Sequence, residues 1–318
     1  MYNRIIIEQI NDNHVLDSLK LWELQLSHFC SKMDMFSYWK NNVADAFNSI
    51  KAHAKGGRGV IAKIEDEIVG YLVYDDFNFH GKHSAFVPFI GNAAVTHNRD
   101  YIYLSMYREL SKIWVEKGIR SHYLTISTED VDVKSALFDV GFGSYLIDAF
   151  AKPKPKADIL SSDIYIEKAE LGDLYELYEV VRESEAYYAQ PPIFLKREEI
   201  TVNELSEIIK SGNVFIAKDK GKIVGFINLS VSDSNDILSM SAKGFGQLDE
   251  IGAYIGKDYR NKNIGNLLIN RVFEYSMENQ IPCIHVDFET ANMYANKFWR
   301  KHFKPGFISL KRTIHSDI

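Results

Sequence analysis

Apolar residues alternate with polar ones over short runs and recur every three to four residues over longer ones, and the same order of such runs occurs twice along the chain. Each half opens on a short apolar strand pattern, residues 4–9 and 164–168. Two helical patterns follow in each, about 14–29 with 40–54 and then 170–186 with 197–210. A hairpin comes next, GVIAKIEDEIVGYLVYDD in the first half and NVFIAKDKGKIVGFINLSVS in the second. Glu65, Asp66 and Glu67, and then Asp219, Lys220 and Gly221, supply its polar turns. Each half then predicts a further strand, a long helix, another strand, a short helix and a terminal strand. Between the halves AKPKPKADILSSD, residues 151–163, alternates lysine with proline and turns polar, which predicts an extended connection. The organisation expected is α+β: two copies of one fold at 1–151 and 161–318, joined by a linker at 152–160, each with a mixed central sheet flanked by helices.

Composition narrows the class without selecting a function. At 318 residues the chain is long enough for two domains that each bury a core. A net charge of -6 with 25% charged residues is a globular balance that would still allow nucleic acid to bind a local basic patch, but the sequence offers little of one, so no nucleic-acid partner is expected. The dense basic run Lys152, Lys154 and Lys156 reads as solvated linker. Cys30 and Cys283 lie far apart, make neither metal nor redox spacing, and suit a reducing cytosol. The start, MYNRIIIEQINDN, lacks the long apolar core of a signal peptide, and no run approaches the roughly 20 apolar residues that span a bilayer. A cytoplasmic protein with no membrane partner, monomeric or homodimeric, is expected.

The strongest chemical signal is YRNKNIGNLLINRVFEYSMENQ, residues 259–280, where a basic turn opens directly into a periodic helix. Such a turn aims unsatisfied backbone N–H groups at whatever binds there, as a phosphate seat does. Residues 251–255 read as the preceding strand, 256–265 as the loop and 265–278 as the helix, with Leu267, Leu268, Val272 and Tyr275 on its apolar side. Asn263 tolerates left-handed backbone angles, and Gly265 would leave room for a phosphate. An ordinary surface turn leading into a helix fits the same residues, and neither GxxxxGK[ST] nor GxGxxG is present.

These residues resemble the acetyl-CoA-binding loop of the GCN5-related N-acetyltransferase (GNAT) superfamily: Arg or Gln, two residues, Gly, one residue, then Gly or Ala. Arg260, Asn261, Lys262, Asn263, Ile264 and Gly265 occupy those positions, with Asn263 replacing the first glycine. HVDFETANMYANKFWRKHFKP, residues 285–305, is similar to the last conserved region of the same family. The resemblance, which covers about 161–310, implies acetyl-CoA as acyl donor. It implies that backbone groups of Ala253, Tyr254 and Ile255 bond the pantetheine and polarise the thioester, and that N–H groups of Asn261, Lys262, Asn263, Ile264, Gly265 and Asn266 hold the pyrophosphate. Asn292 is then expected to bond the pantetheine arm, Ala295 and Phe298 to pack the short helix, and Trp299 to stand where the family often has a catalytic tyrosine. An indole N–H only donates, so Trp299 cannot reprotonate the leaving thiolate as an acid. The first half resembles the family more faintly, through KSALFDVGFGSYLIDAF at 134–150 with Gly141, Phe142 and Gly143 at its turn. Its loop at 91–110 has no arginine-led spacing, and Tyr101 and Tyr103 would fill the place of a pyrophosphate. The resemblance therefore implies a tandem protein whose first half is degenerate and which binds one cofactor per chain.

An attacking amine must be neutral, which gives a carboxylate a role as base. Asp249, Glu250, Asp287 and Glu289 are the candidates. Strand alternation predicts that Asp249 and Glu250 face opposite ways, with Glu250 leading, and that Asp287 and Glu289 share one side. His80 and His83 in FHGKH read as a turn, so no metal is expected, and His285 reads as strand packing. The resemblance implies that the region containing Arg182, Glu183, Tyr187, Tyr188 and Phe194 shapes the pocket of the acceptor, a small-molecule or peptide amine, although the aromatic residues fit a core equally well. The alternative is a catalytically silent acyl-CoA-binding or regulatory scaffold.

Overall fold

The computed structural model of the chain describes residues 4–79, 81–154 and 164–315, so His80 and most of the lysine–proline connection lie outside the described residues. The chain divides into two compact units, residues 1–147 with 235–242 and 305–318, and residues 148–234 with 243–304. A single cut near residue 155 misses this exchange of segments. Residues 235–242 interrupt the second unit and pack in the first, where Trp39 Nε1 donates to the Met240 carbonyl at 3.3 Å.

The first unit contains β1 (Ile5–Gln9), α1 (Val15–Lys32), α2 (Ser37–Asn41), α3 (Val43–Lys55), β2 (Gly59–Ile64), β3 (Glu67–Val73), β4 (Asp75–Phe79), β5 (Lys82–Val87), β6 (Asn92–Ala94), α4 (Arg99–Glu116), β7 (Ser121–Ser127), α5 (Val131–Asp139) and most of β8 (Gly143–Ala151). The second contains β9 (Ile164–Lys168), α6 (Leu174–Tyr188), α7 (Val202–Ser211), β10 (Asn213–Asp219), β11 (Lys222–Val231), β12 (Gly246–Gln247), β13 (Ala253–Ile255), α8 (Ile264–Glu278), β14 (Ile284–Glu289) and α9 (Met293–Trp299). The last strand, β15 (Lys304–Thr313), runs antiparallel to β7 in the first unit.

Both units build the same antiparallel run, β1-β2-β3-β6 in one and β9-β10-β11-β13 in the other. Both break register at the same place, after Ala62 opposite Gly70 and after Ala217 opposite Gly225. The hairpin turns match too, with left-handed residues at Glu65 in one and at Lys220 and Gly221 in the other. The repeat seen in the sequence is thus a repeat of hydrogen-bond register and of a bulge.

In the second unit α6 and α7 cover one face of the sheet. Leu177, Val181, Leu205 and Ile209 pack there against Val214, Ile216 and Phe226 in a continuous buried core. Alternation along β10 turns Phe215 to the other face, against Tyr275 of α8. Each fully buried Leu, Val or Phe contributes about 1.5–3 kcal/mol. Helix α7 starts later than the periodicity predicts, at Val202, because Thr201 caps it. The Thr201 hydroxyl accepts the Glu204 N–H, and the Glu204 carboxylate accepts the Thr201 N–H, a reciprocal capping box.

Candidate active site

Two strands of the second unit part to open the site. β12 pairs with both β11 and β14, but β13 pairs with β11 alone, so Asp287 and Glu289 lie beyond the last residue of β14 that β12 reaches. Between β12 and β13 the chain bulges: residues 248–252 stand opposite only Asn228 and Leu229 of β11. Left-handed angles at Glu250 (φ 55°) and Gly252 (φ 68°) make the bulge, and the Gly252 N–H closes it on the Asp249 carbonyl at 2.7 Å. Asp249 and Glu250 therefore do not alternate as neighbours on a strand, and residues 251–252 are turn rather than strand.

On the side away from β11 the backbone of β13 makes, among the described residues, one side-chain contact, Arg260 Nε to the Ile255 carbonyl, and no strand pairing. Asn228 N–H donates to the Gly252 carbonyl and Gly256 N–H to the Val224 carbonyl, which by antiparallel alternation turns the polar groups of Ala253 and Ile255 away from β11. That edge faces the parting of the strands. A thioester's amide-bearing arm can pair with it as an extra strand would.

Beyond β13 the chain makes the predicted turn into α8. Asn261 (φ 62°) and Asn263 (φ 65°) are both left-handed, and Asn263 precedes the first helical residue. No protein acceptor among the described residues receives the N–H groups of Asn261, Lys262, Asn263, Ile264 or Gly265. Asn266 stays within the turn, its side chain donating to Asn263 Oδ1 and its N–H to the Asn263 carbonyl. Bare N–H groups at the start of a 15-residue helix are suited to an anion. The absence of a side chain at Gly265 lets α8 pack on α9: a Cβ there would lie 2.8 Å from Phe298 Cε2.

Arg260 is turned inward. Its Nε donates to the Ile255 carbonyl at 3.2 Å, and its guanidinium lies 4.6 Å from the Tyr187 ring centroid, 5.5 Å from that of Tyr254 and 5.7 Å from that of Tyr294. Lys262 lies over Tyr259 at 4.7 Å. Asn292 is buried at the start of α9, where its Oδ1 accepts the Ala295 N–H and the Tyr187 hydroxyl. Trp299 is also buried, edge-on to Phe298 and Phe303.

The polar side of β14 carries His285, Asp287 and Glu289, while Ile284, Val286 and Phe288 are buried on the other. Asp287 and Glu289 thus share a side as predicted. His285 does more than pack: one ring nitrogen contacts Asp148 Oδ1 at 3.0 Å and the other Gln247 Oε1 at 2.6 Å. Burial opposes its charged form, but Asp148 outweighs that and holds its pKa above the ordinary value. Asp287 is exposed on this side of β14, and its pKa is raised because desolvation by the protein beside it, reinforced by Asp148, outweighs the opposing charge of His285. Desolvation likewise raises Glu289, with help from Asp287, and Asp249, with help from Glu250 and Asp287. Asp249 accepts the Ser230 hydroxyl at 2.7 Å and Glu250 accepts Asn228 Nδ2 at 2.7 Å. Above them Tyr188, its ionisation suppressed first by burial and then by Glu289, lies 4.8 Å beneath the Arg197 guanidinium, which also donates to the Glu250 carbonyl. Asp148, Arg197, Asn228, Ser230 and Gln247 escaped the sequence reading. Only Asn228, an amide inside the apolar run KIVGFINLSV, carried a legible signal. Among the described residues no group of three or more His, Cys, Asp or Glu is placed to hold a metal.

Among the described residues of the first unit this arrangement is absent. Four residues separate β6 from α4, against eight between β13 and α8, so the basic turn has no counterpart, although Asn98 is left-handed as Asn263 is. Arg99 fills the place. It bridges the Ala94 carbonyl, Asp130 at 2.7 Å, Gln25 and the Tyr103 hydroxyl, and Asn92 Nδ2 donates to the Thr125 carbonyl at 2.9 Å. Tyr103 is buried among these groups, whereas Tyr101 is half exposed on the helix.

The sequence profile of the Acetyltransferase (GNAT) family matches residues 173–303. A GCN5-related N-acetyltransferase from Sphaerobacter thermophilus superposes with a TM-score of 0.59 at 14% identity, covering 100% of this chain and 98% of that one. A GCN5-related glucosamine N-acetyltransferase region of a fungal multi-domain GH3 β-N-acetylglucosaminidase gives a TM-score of 0.52 at 11% identity, covering 98% of this chain and 38% of that one. No curated protein matches by sequence. No helix among the described residues is long and apolar enough to cross a membrane. Residues 173–303 thus carry the sequence signature of the acetyltransferase (GNAT) family, on an α+β fold shared with GCN5-related N-acetyltransferases.

Proposed function

We propose that the second unit transfers an acetyl group from acetyl-CoA to a primary amine by direct attack in a ternary complex. The observation that carries this reading is the bare N–H turn from Asn261 to Gly265 set beside the edge of β13 that no strand pairs and only Arg260 touches, both inside the matched region. The turn would take the pyrophosphate, with Lys262 beside it. Ala253 and Ile255 would pair with the pantetheine and polarise the acyl carbonyl, and Asn292 and Trp299 would wall the arm. Arg260 would anchor the turn to Ile255 and add its charge to the phosphate end.

The amine nitrogen attacks the thioester carbon; the new C–N bond forms, the C–S bond breaks, and the surplus proton leaves the nitrogen for a carboxylate or water. The thiolate departs and is protonated from solvent, since Trp299 has no acid to give. A base near neutrality needs a carboxylate with a raised pKa and an oxygen open to the substrate. Asp287 meets both conditions, which moves it ahead of Glu250, whose carboxylate is engaged by Asn228. Asp249 and Glu289 then set the local field.

We read the first unit as a second copy of the fold with its cofactor cleft closed by Arg99. A catalytically silent acyl-CoA-binding scaffold is the competing reading, and Trp299 at the usual acid position is what favours it. Thiol release from acetyl-CoA decides between them. Purified protein offered a panel of primary amines is expected to liberate thiol, and Asp287→Asn to lower kcat about 10²-fold or more, with partial recovery as rising pH deprotonates the amine unaided. Tight CoA binding without thiol release from any amine would favour the scaffold.

A further inference from the structure

His285 stands in a place built for a charged ring. It lies half-buried on the polar side of β14, two residues before Asp287, and each of its ring nitrogens meets an oxygen. Nε2 lies 3.0 Å from Oδ1 of Asp148, on the part of β8 that belongs to the second unit, and Nδ1 lies 2.6 Å from Gln247 Oε1 on β12. Gln247 turns its oxygen to the ring because its Nε2 donates to the Ser232 hydroxyl at 3.2 Å. A carboxylate and an amide oxygen only accept, so both ring nitrogens must donate, which the imidazolium alone can do. A neutral ring would point a lone pair at one of the two oxygens.

Two further contacts favour the same state. Among the described residues the Asp148 carboxylate has no hydrogen-bond or ion-pair partner except His285, and the two side chains are only 19% and 14% exposed. A neutral ring would leave that shielded anion without a counter-charge. The Phe150 ring, two residues along β8 from Asp148, stacks on the imidazole with centroids 4.8 Å apart and planes at 29°, a face that attracts a cation.

The charge reaches the proposed base. Side chains two apart on one side of a strand are separated by about 7 Å. Desolvation raises the Asp287 pKa, and the charge of His285 is the largest influence opposing it, ahead of Arg197. The other ionisable groups around the pair are Asp148 on β8, Asp249 on the bulge, Glu289 at the end of β14 and Tyr188 at the end of α6. None of these four supplies positive charge.

We propose that His285 is a positioning residue for the transfer: Asp148, Gln247 and Phe150 hold it as an imidazolium through neutral pH, and its charge keeps the Asp287 carboxylate ionised and able to take the proton of the attacking amine. The task given to Asp287 rests on the acetyltransferase reading, whereas the charge state of His285 does not.

NMR of the histidine-labelled whole chain, without ligand, reads that charge directly. The His285 signals, identified by their loss in His285→Gln, should show both ring nitrogens protonated over about pH 6 to 8, and Asp148→Asn should bring the loss of one proton to lower pH. A neutral ring in the parent at neutral pH would overturn the proposal. The Asp287 carboxyl carbon should titrate about half a pH unit or more higher in His285→Gln than in the parent, as expected on losing a unit charge about 7 Å away. With an amine that the protein acetylates, under saturating acetyl-CoA, kcat/KM of the variant should fall to about one-third of the parent's or less at acid pH and return to about the parent's in alkali. An unmoved Asp287 titration, or the same loss at every pH, would reduce His285 to a packing residue and overturn the proposal. Should no amine release thiol, the acetyltransferase reading fails by itself, and the two NMR titrations still decide the charge and its coupling to Asp287.

Discussion

At the scale of single residues, Asp287 and Arg260 show how far an environment departs from what a side chain would do in water. The unfolded Asp287 carboxyl ionises near 3.8, the folded one at higher pH because desolvation and Asp148 together outweigh His285. At low pH both states are protonated and the group is neutral towards stability; as pH rises past 3.8 the folded state is penalised for a charge that the unfolded state carries freely. Asp287→Asn should therefore melt with the parent near ~pH 3 and above it near ~pH 7. A variant less stable than its parent at neutral pH would show that the carboxylate has a partner in the fold. Arg260→Ala removes a guanidinium that ties the turn to Ile255 and, on the proposed reading, adds its charge to the phosphate end, so acetyl-CoA affinity should fall by roughly 1.5–3 kcal/mol in calorimetry. An unchanged dissociation constant at low ionic strength would mean that its cage of tyrosines is purely structural. That cage was invisible in the sequence because Tyr187, Tyr254 and Tyr294 come from three distant stretches.

At the scale of elements, Gly265 decides how closely α8 can approach α9. A Cβ at this position meets Phe298 at 2.8 Å and its ring tip at 3.1 Å, so Gly265→Ala should cost about 1–3 kcal/mol by overpacking and shift the turn that precedes it. Denaturant unfolding checks the first effect; an alanine variant as stable as the parent would show that Phe298 swings away at no cost. The turn itself was legible, because a basic, asparagine-rich segment ahead of a 3.6-residue period constrains both the backbone angles and the start of the helix. The bulge was not. LDEIGAYI alternates well enough to pass for one strand, and only pairing with β11 reveals that five residues stand where two would fit. The polar side of β14 followed from alternation alone, but His285 took its partners from Asp148 and Gln247, which no local pattern connects to it.

At the scale of the whole molecule, the repeated order of strands and helices was readable from hydrophobic periodicity, and the shared bulge after Ala62 and Ala217 gives it a structural counterpart. The exchange of segments was not readable, since where β15 pairs depends on contacts nearly two hundred residues apart. The two units differ most where function would reside: eight residues and bare N–H groups ahead of α8, four residues and an internal arginine ahead of α4. A calorimetric titration of the whole chain with acetyl-CoA tests that contrast most directly. The account predicts saturable binding with one molecule per chain, abolished or weakened by changes in the turn at Arg260 and untouched by Arg99→Lys. Two molecules per chain, or no heat at high micromolar acetyl-CoA, would contradict it.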